Sequence, residues 1–404
     1  MGDTSGSAIE QAGAGAVIAA VEPSRPHTVE ARKGQTEKIH ALTSLRFFAA
    51  LYVVLYHTLW FAIPSLTASS IGGRILSLGY LSVSFFFLLS GYILSIVYLR
   101  DGRPIAKRNF YIARFARVYP LFFFTLVAGT PFLIVERIHK YGLASALSKT
   151  AVTFAGNVVM LQAWFLQLRG INNPNWSLSV ETLFYAVFPL LGVWIWRLTR
   201  RQVWLVAACV WIASQALVQL AYGHIPEAVG ELDPILHLGT FTLGILLGRW
   251  QTLRRRESGP SPSGTGTATV ALLLSLCAFA GVVMWEPRPA LSKLITGFMA
   301  PIFVVIVWAF SNNRSLFSRW LSMPWLVVLG EASYGLYLIH FVVYQLFEAL
   351  GLDKIPLLFP VYLGGCIALS VLSLYFVETP IRKWLLKRFQ ARPKETMEAA
   401  SDAQ

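Results

Sequence analysis

Long apolar runs, separated by short polar segments, cover most of this 404-residue chain. They recur from Ala41 to Phe376, and each is roughly 17 to 25 residues long, enough for a helix to cross a bilayer core of about 30 Å. Backbone in lipid must have its hydrogen bonds satisfied, and a helix does this within one segment. The pattern therefore predicts an all-α protein, a polytopic bundle of membrane helices.

The composition supports this prediction, because 55% of the residues are hydrophobic and only 13% are charged. No soluble segment is large enough to carry separate chemistry. The three cysteines, Cys209, Cys277 and Cys366, lie inside apolar runs without the paired spacing of a metal or redox site. We expect them to pack in the bundle, and we expect no metal ion and no permanently bound cofactor.

Basic residues give the chain a net charge of +14, and they occur in short clusters between apolar runs. A nucleic-acid-binding protein would carry a more continuous basic face. Clusters that flank apolar runs are typical of cytoplasmic loops. They therefore predict which loops face the cytoplasm, and we expect no nucleic-acid partner. The clusters lie at Arg100–Arg117, Arg197–Arg201, Arg249–Arg256, Asn312–Arg319 and Arg382–Arg388.

Placing every basic cluster in the cytoplasm predicts about ten crossings with both termini cytoplasmic. The segment 146–166 then does not cross, and we expect it to be re-entrant or interfacial, which is allowed where protein shelters its backbone. An ordinary spanning helix at 146–166 is the alternative, because charge rules fail at single helices. The predicted crossings lie near residues 41–63, 75–99, 118–136, 178–196, 203–222, 235–249, 267–285, 294–311, 326–349 and 358–377.

These crossings divide the chain into three parts. We expect a disordered cytoplasmic tail at 1–38, a membrane domain at 39–387 and a second cytoplasmic tail at 388–404, with no appended soluble domain. Within the membrane domain, small residues at near-helical spacing from Gly239 to Gly248 favour close helix packing.

Arg46 and His57 interrupt the first apolar run and lie eleven residues apart. Eleven residues come within about 20° of three helical turns and rise about 16 Å, so both side chains point the same way. Arginine at such depth favours a polar interior, and we expect the pair to face the bundle. Two alternatives stay open: Arg46 extends to the inner headgroups, or His57 is a neutral buried histidine satisfied by a neighbour.

Glu181 and His340 fall at a similar depth to His57 when the predicted crossings are applied. A histidine near a carboxylate can act as a general base near neutral pH, as chemistry on a hydroxyl requires. We therefore treat the three residues as candidates for one site. Structural pairing of Glu181 and simple packing of His340 are the alternatives.

Arg114 and Arg117 lie three residues apart at the cytoplasmic end of the third predicted crossing. Paired guanidinium groups bind phosphates through charged, bidentate hydrogen bonds, so a nucleotide-bearing donor could bind there. Ordinary positive-inside anchoring is the alternative. The sequence has no P-loop, no GxGxxG after a strand and no GxSxG motif.

Six ordered motifs extend over nearly all of Ile39 to Lys387. They are Arg-x10-His at Arg46 and His57, SFFFLLSGY from Ser84, RFARVYP from Arg114, NWSLSVETLFY from Asn175, GEASYGLYLIH from Gly330 and VETPIRK from Val377. Together they resemble the motifs of the acyltransferase-3 family of integral-membrane O-acyltransferases. One difference is Ser84, where many members have an aspartate before the paired phenylalanines, so the polar partners on the second crossing differ.

The resemblance implies a cytoplasmic acyl-CoA donor, often acetyl-CoA, and a carbohydrate or similar hydroxyl acceptor outside the cytoplasm. It also implies that Arg46 and His57 are essential and that Arg114 and Arg117 bind the CoA phosphates. We therefore expect a multi-pass enzyme of the plasma (inner) membrane, whose partners are acyl-CoA, the carbohydrate acceptor and the lipid bilayer.

For the mechanism, we expect His57 to accept the proton of the acceptor hydroxyl as it attacks the thioester, with Glu181 supporting His57. Arg46 would anchor the donor or stabilise developing negative charge. A covalent acyl-enzyme on histidine or serine stays open. Supporting roles are expected for Trp176, Ser177, Ser333, Tyr334 and His340.

Two alternatives concern the function itself. The preferred acceptor is an exopolysaccharide, lipopolysaccharide or oligosaccharide, and the alternative is a macrolide or another small secondary metabolite. A transporter is the competitor from another class, because buried arginine, histidine and glutamate also suit ion pathways.

Overall fold

The computed structural model describes residues 29–63, 65, 70–99, 105–222, 224–230, 232–258, 265–285, 297–312 and 316–390. Every regular element in these ranges is helical, which confirms the all-α prediction. The main helices are α1 (Val29–Ala62), α2 (Ser70–Ser77), α3 (Leu81–Tyr98), α4 (Lys107–Tyr141), α5 (Leu143–Val158), α6 (Trp176–Trp196), α7 (Arg200–Tyr222), α8 (Pro234–Ser258), α9 (Thr265–Trp285), α10 (Ala300–Asn312), α11 (Leu316–Leu321), α12 (Pro324–Ala349), α13 (Phe359–Ser373) and α14 (Thr379–Phe389).

Seven helical segments among the described residues are long and apolar enough to cross a membrane. Large apolar side chains on their outer surfaces, among them Leu190, Leu205 and Phe376, are more than half exposed, as lipid-facing positions require. These features confirm a multi-pass membrane protein. The other three predicted crossings fall on α8, α9 and α10, so the number ten and the orientation stay predictions.

The segment predicted to be re-entrant begins with α5, which has 16 residues. That length is below the roughly 20 residues that a spanning helix needs. Tyr119 donates a hydrogen bond to the Val158 carbonyl (3.0 Å), so α5 ends against the first half of the 35-residue α4. The chain then folds back, because Asn157 Nδ2 donates to the Leu168 carbonyl (2.6 Å). These contacts favour the re-entrant arrangement.

Buried amides hold the loop between α5 and α6 in place. Gln162 donates to the Asn175 carbonyl (2.9 Å), and Asn172 donates to the Leu338 carbonyl on α12 (3.0 Å). Irregular backbone at membrane depth is tolerated only where such partners replace water. The loop therefore fixes the first turn of α6 against α12, which positions two walls of the site.

Glycines bring α3 and α8 into backbone contact. A Cβ atom on Gly91 would lie 2.1 Å from the Phe241 carbonyl oxygen, and one on Gly244 would lie 2.0 Å from the Leu88 oxygen. Neither position has room for a side chain, so the small residues permit the closest approach of two helices. This confirms the packing role predicted for the Gly239–Gly248 segment.

A similar contact joins α1 to α12. A Cβ atom on Gly330 would lie 2.1 Å from the Thr43 carbonyl oxygen, one turn before Arg46. The close approach brings the first helix, with its buried arginine and histidine, directly against the Ser333–His340 part of α12.

The predicted boundaries differ from those of the helices. Helix α1 begins at Val29, so residues 29–38, which we expected in a disordered tail, continue the first helix. Residues 1–28 and 391–404 lie outside the described residues. At the other end, α14 extends the membrane domain to Phe389.

We predict that Gly244→Ala lowers the unfolding temperature of the detergent-solubilised protein, because the methyl group must push two helix backbones apart at a cost of about 1–3 kcal/mol. Gly364→Ala is the control, since no atom lies within 4 Å of its Cβ position, and alanine is favoured over glycine in a helix. Equal melting temperatures for the two variants would contradict the packing role.

Candidate active site

A cavity of about 240 Å³ lies between α1, α3, α4, α6 and α12. Its lining extends along α3 from Val83, near the start of that helix, to Leu94, near its end. We call one part the arginine end, and its lining includes Arg46, Arg114, Arg117, Glu181 and Tyr185. We call the other part the apolar end, and its lining includes Val83, Phe86, Phe87, Leu178 and Tyr337.

Helical spacing arranges the arginine end. Arg114 and Arg117 lie three residues apart on α4, and Tyr185 donates a hydrogen bond to Glu181 one turn away on α6 (2.9 Å). Arg114 also contacts Tyr98, through an Nη2–Oη distance of 3.4 Å and with its guanidinium carbon 5.6 Å from the ring centre. Three arginines therefore face one glutamate across the cavity.

The charges at this end are not directly paired. Among the described residues, Arg46 and Arg117 form no hydrogen bond and no ion pair; the described ion pair joins Arg200 and Glu257 at the surface (3.0 Å). Glu181 interacts with both arginines only as a nearby charge. Enclosed charges without partners are costly. The arginine end is therefore suited to an anionic ligand.

A second carboxylate, Glu378, approaches the same arginines from the π-helical turn that follows α13. It ends this turn, Leu374–Glu378, and interacts with Arg46 and Arg117 as a nearby charge. Pro380 follows, and a proline ring collides with the carbonyl four residues earlier in a regular α-helix. Widening the helix to a π-turn relieves that collision, and such turns occur frequently at functional sites.

His57 lies elsewhere, beside His340. His340 Nε2 is 3.3 Å from His57 Nδ1, and the two rings are 5.3 Å apart between centres. His340 is fully buried, and Phe341 packs edge-on against His57 at 6.0 Å. The structure thus brings two of the predicted site residues together as a histidine pair.

Backbone carbonyls determine which nitrogens of the histidine pair carry protons. His340 Nδ1 lies 3.1 Å from the Leu336 carbonyl and His57 Nδ1 lies 2.9 Å from the Val53 carbonyl, so both must donate. In the neutral rings, His340 Nε2 is then an acceptor that faces the His57 Nδ1–H group. This assignment leaves His57 Nε2 with a free lone pair, as a general base requires.

The histidine pair does not line the cavity. The Tyr337 ring, which lines the cavity, lies 6.3 Å from the His340 ring. The Phe86 ring, also in the lining, lies 6.1 Å from the Tyr337 ring. Arg46 and His57 nevertheless lie on the same side of α1, the side that faces α12. Arg46 lines the cavity together with Ser333 and Tyr334 of α12, and His57 contacts His340 of the same helix.

The structure separates Glu181 from His57, which we expected to be neighbours. Glu181 lines the arginine end, whereas the polar contacts of His57 are with Val53 and His340. His340 therefore occupies the place beside His57 that the sequence analysis assigned to Glu181.

The remaining predicted residues lie around the cavity. Ser177 Oγ is within hydrogen-bonding distance of the Pro174 carbonyl (3.2 Å) and the Tyr337 hydroxyl (2.9 Å), and Ser333 donates to the Gly330 carbonyl (2.7 Å). Tyr334 lines the cavity and donates to the Val118 carbonyl (2.6 Å). Trp176 packs on Phe87 and His237, outside the cavity lining.

Sequence reasoning missed four residues at the site: Phe86, Tyr185, Tyr337 and Glu378. Tyr185 follows Glu181 by four residues, and this helical spacing was a usable signal. Glu378 lies two residues before Pro380, and this position was a weaker indication of a site residue. Among the described residues, no group of three His, Cys, Asp or Glu side chains is placed to hold a metal ion.

Similarity to known proteins identifies the family of this chain. A family model described as an acyltransferase domain, of the acyltransferase-3 type, matches residues 39–375. Acyltransferase MdmB of Streptomyces mycarofaciens is 29% identical over 335 residues, which cover 76% of this chain and 79% of the relative.

A second relative is the O-acetyltransferase OatA of Staphylococcus aureus (strain MRSA252). It is 23% identical over 385 residues, covering 89% of this chain but only 60% of the relative, so the chain spans less than two thirds of that protein. No solved structure matches the chain. The family match nevertheless covers most of its length: the chain belongs to the acyltransferase-3 family and is a multi-pass membrane enzyme that transfers acyl groups.

Proposed function

We propose that the enzyme transfers an acyl group, most simply acetyl, from cytoplasmic acyl-CoA to a hydroxyl of a cell-surface or exported carbohydrate. The observation that carries this proposal is the arginine end of the cavity, where three guanidinium groups lack ion-pair partners among the described residues. The name of OatA supports acetyl as the group and oxygen as its acceptor.

The arginine end accounts for the donor. CoA is a polyphosphate, and guanidinium groups bind phosphates through short, charge-assisted hydrogen bonds. With the basic clusters in the cytoplasm, Arg114 and Arg117 lie nearest the inner surface and hold the phosphates. Arg46 lies deeper, where it binds the pantetheine arm or stabilises the thioester oxygen as negative charge develops. We propose the cytoplasmic (inner) membrane as the location, because in this orientation cytoplasmic acyl-CoA can reach the cavity.

The histidine pair accounts for proton transfer. His57 Nε2 takes the proton of the acceptor hydroxyl while the oxygen attacks the thioester carbonyl. The carbon–sulfur bond then breaks, and the CoA sulfur leaves as a thiolate that receives the proton from the His57 imidazolium. His340 acts as a positioning residue, because its Nε2 lone pair accepts from His57 Nδ1–H and stabilises the imidazolium.

The serines favour direct transfer over an acyl-enzyme. Ser177 and Ser333 both lie within hydrogen-bonding distance of a backbone carbonyl, a weak base that cannot activate them as nucleophiles. The described polar contacts of His57 include neither serine. These contacts argue against Ser177 and Ser333 as nucleophiles, and the proposed nucleophile is the acceptor oxygen.

Replacing both Arg114 and Arg117 with glutamine should weaken acyl-CoA binding about 100-fold, because each charge-assisted hydrogen bond contributes about 1.5–3 kcal/mol. Calorimetry with CoA and the purified protein measures this change. The matched control replaces Arg201 and Arg319, two exposed arginines that do not line the cavity. If the control variant weakened CoA binding equally, the assignment of Arg114 and Arg117 as phosphate-binding residues would be contradicted.

His57→Ala should lower the rate of acyl transfer about 100- to 10,000-fold, which is the usual contribution of a general base. The affinity for CoA should not change. In cells, mass spectrometry of surface and exported glycans should show O-acyl groups with the wild-type gene and none with the variant. Acylation of a small secreted metabolite, with unchanged glycans, would support the alternative acceptor. Full glycan acylation by the variant would contradict the mechanism.

His340→Gln should retain more activity than His340→Phe, because a glutamine amide oxygen can accept the His57 Nδ1–H bond and phenylalanine cannot. We expect kcat to fall about 10- to 100-fold in His340→Phe, with the KM for acyl-CoA unchanged. The pH–rate profile of the glutamine variant should also shift. Identical losses in both variants, or a loss confined to KM, would refute the positioning role.

A further inference from the structure

We infer that Phe86 limits the length of the acyl group that the enzyme accepts, because its ring closes the apolar end of the cavity in front of the histidine pair. The inference rests on the proposed function, since it treats the cavity as the donor site. It assigns a specificity role to one of three consecutive phenylalanines, Phe85, Phe86 and Phe87.

Contacts connect the cavity to the histidine pair through Phe86. The Phe86 side chain lines the cavity and meets the Tyr337 ring at 6.1 Å, and the Tyr337 ring meets His340 at 6.3 Å. Phe86 also packs against both apolar clusters of the bundle, the large one that includes Phe87 and a smaller one that includes Leu336 and Tyr344. Phe86 and Tyr337 therefore form adjoining parts of the cavity wall, on the side where Tyr337 contacts the histidine pair.

Of the Phe86 and Tyr337 rings, Tyr337 is the fixed one. Its hydroxyl lies 2.8 Å from the Pro174 carbonyl and 2.9 Å from Ser177 Oγ, and its side chain is 7% exposed. Phe86 has no polar group to hold it and is partly exposed to the cavity. Rotation of Phe86 breaks no hydrogen bond, so Phe86 is the ring that moves.

The lining of the apolar end determines what can occupy it. Val83, Phe87 and Leu178 line the cavity together with Phe86, and none of these side chains has a polar group. An acetyl group needs little displacement of the Phe86 ring, whereas each further methylene requires volume that the ring now fills. Close-packed interiors resist such additions. Removing the ring should therefore favour longer acyl groups.

Phe85 provides a matched control on the preceding position of α3. It is 7% exposed and packs edge-on against Phe303 of α10 at 5.8 Å, and it does not line the cavity. Truncating either phenylalanine removes a similar amount of apolar packing. Only truncation of Phe86 should enlarge the donor cavity.

The test compares wild type, Phe86→Ala and Phe85→Ala, using CoA thioethers with two-, four- and eight-carbon chains that cannot be hydrolysed. We expect Phe86→Ala to raise the affinity for the eight-carbon analogue relative to the two-carbon analogue at least tenfold, since each buried methylene contributes about fourfold. Phe85→Ala should keep the wild-type ratio. Phe86→Leu, which keeps more packing, should give a smaller shift and replaces Phe86→Ala if that variant does not fold.

An unchanged ratio in the Phe86 variants, with normal binding of all analogues by wild type, would overturn the inference and leave the proposed function standing. A shift of equal size in Phe85→Ala would also overturn it, because general loosening of α3 would then explain the effect. Failure of wild type to bind any CoA analogue would overturn the proposed donor and the inference together.

Discussion

Three guanidinium groups enclosed by membrane helices, without carboxylates in ion-pairing contact, are the constraint on which the rest of the site depends. Arg46, Arg114 and Arg117 face Glu181 across a cavity, and Glu378 acts on two of them from a neighbouring helix. A protein seldom encloses charge without either a partner or a ligand. In the function proposed above, an anionic donor such as acyl-CoA supplies the missing negative charge.

Helix α12 contributes residues to both parts of the site, the cavity and the histidine pair. Its Gly330 allows backbone contact with α1, its Tyr334 lines the cavity, and its His340 holds His57. The cavity thus lies next to the histidine pair, because the Tyr337 ring lines the cavity and lies 6.3 Å from the His340 ring. In the proposed function, this ring helps to keep water from the thioester until an acceptor is present, which suppresses hydrolysis.

Helical periodicity predicted much of this arrangement. The spacing of Arg46 and His57 places both toward α12. The small residues from Gly239 to Gly248 predicted that their helix packs closely against another, and the structure identifies that other helix as α3. Periodicity within one helix does not say which other helix it meets, so Glu181 and His340 could not be told apart as neighbours of His57. It also cannot select one phenylalanine of three, or locate a π-turn, because both depend on packing between helices.

The most direct measurement of the central claim is a cryo-electron-microscopy map of the enzyme with a non-hydrolysable acyl-CoA thioether. We predict phosphate density against Arg114 and Arg117, with the pantetheine arm running past Arg46 and the acyl group ending at Phe86. Density for CoA outside the cavity, with the three arginines still facing an unliganded space, would contradict the assignment of this cavity as the donor site.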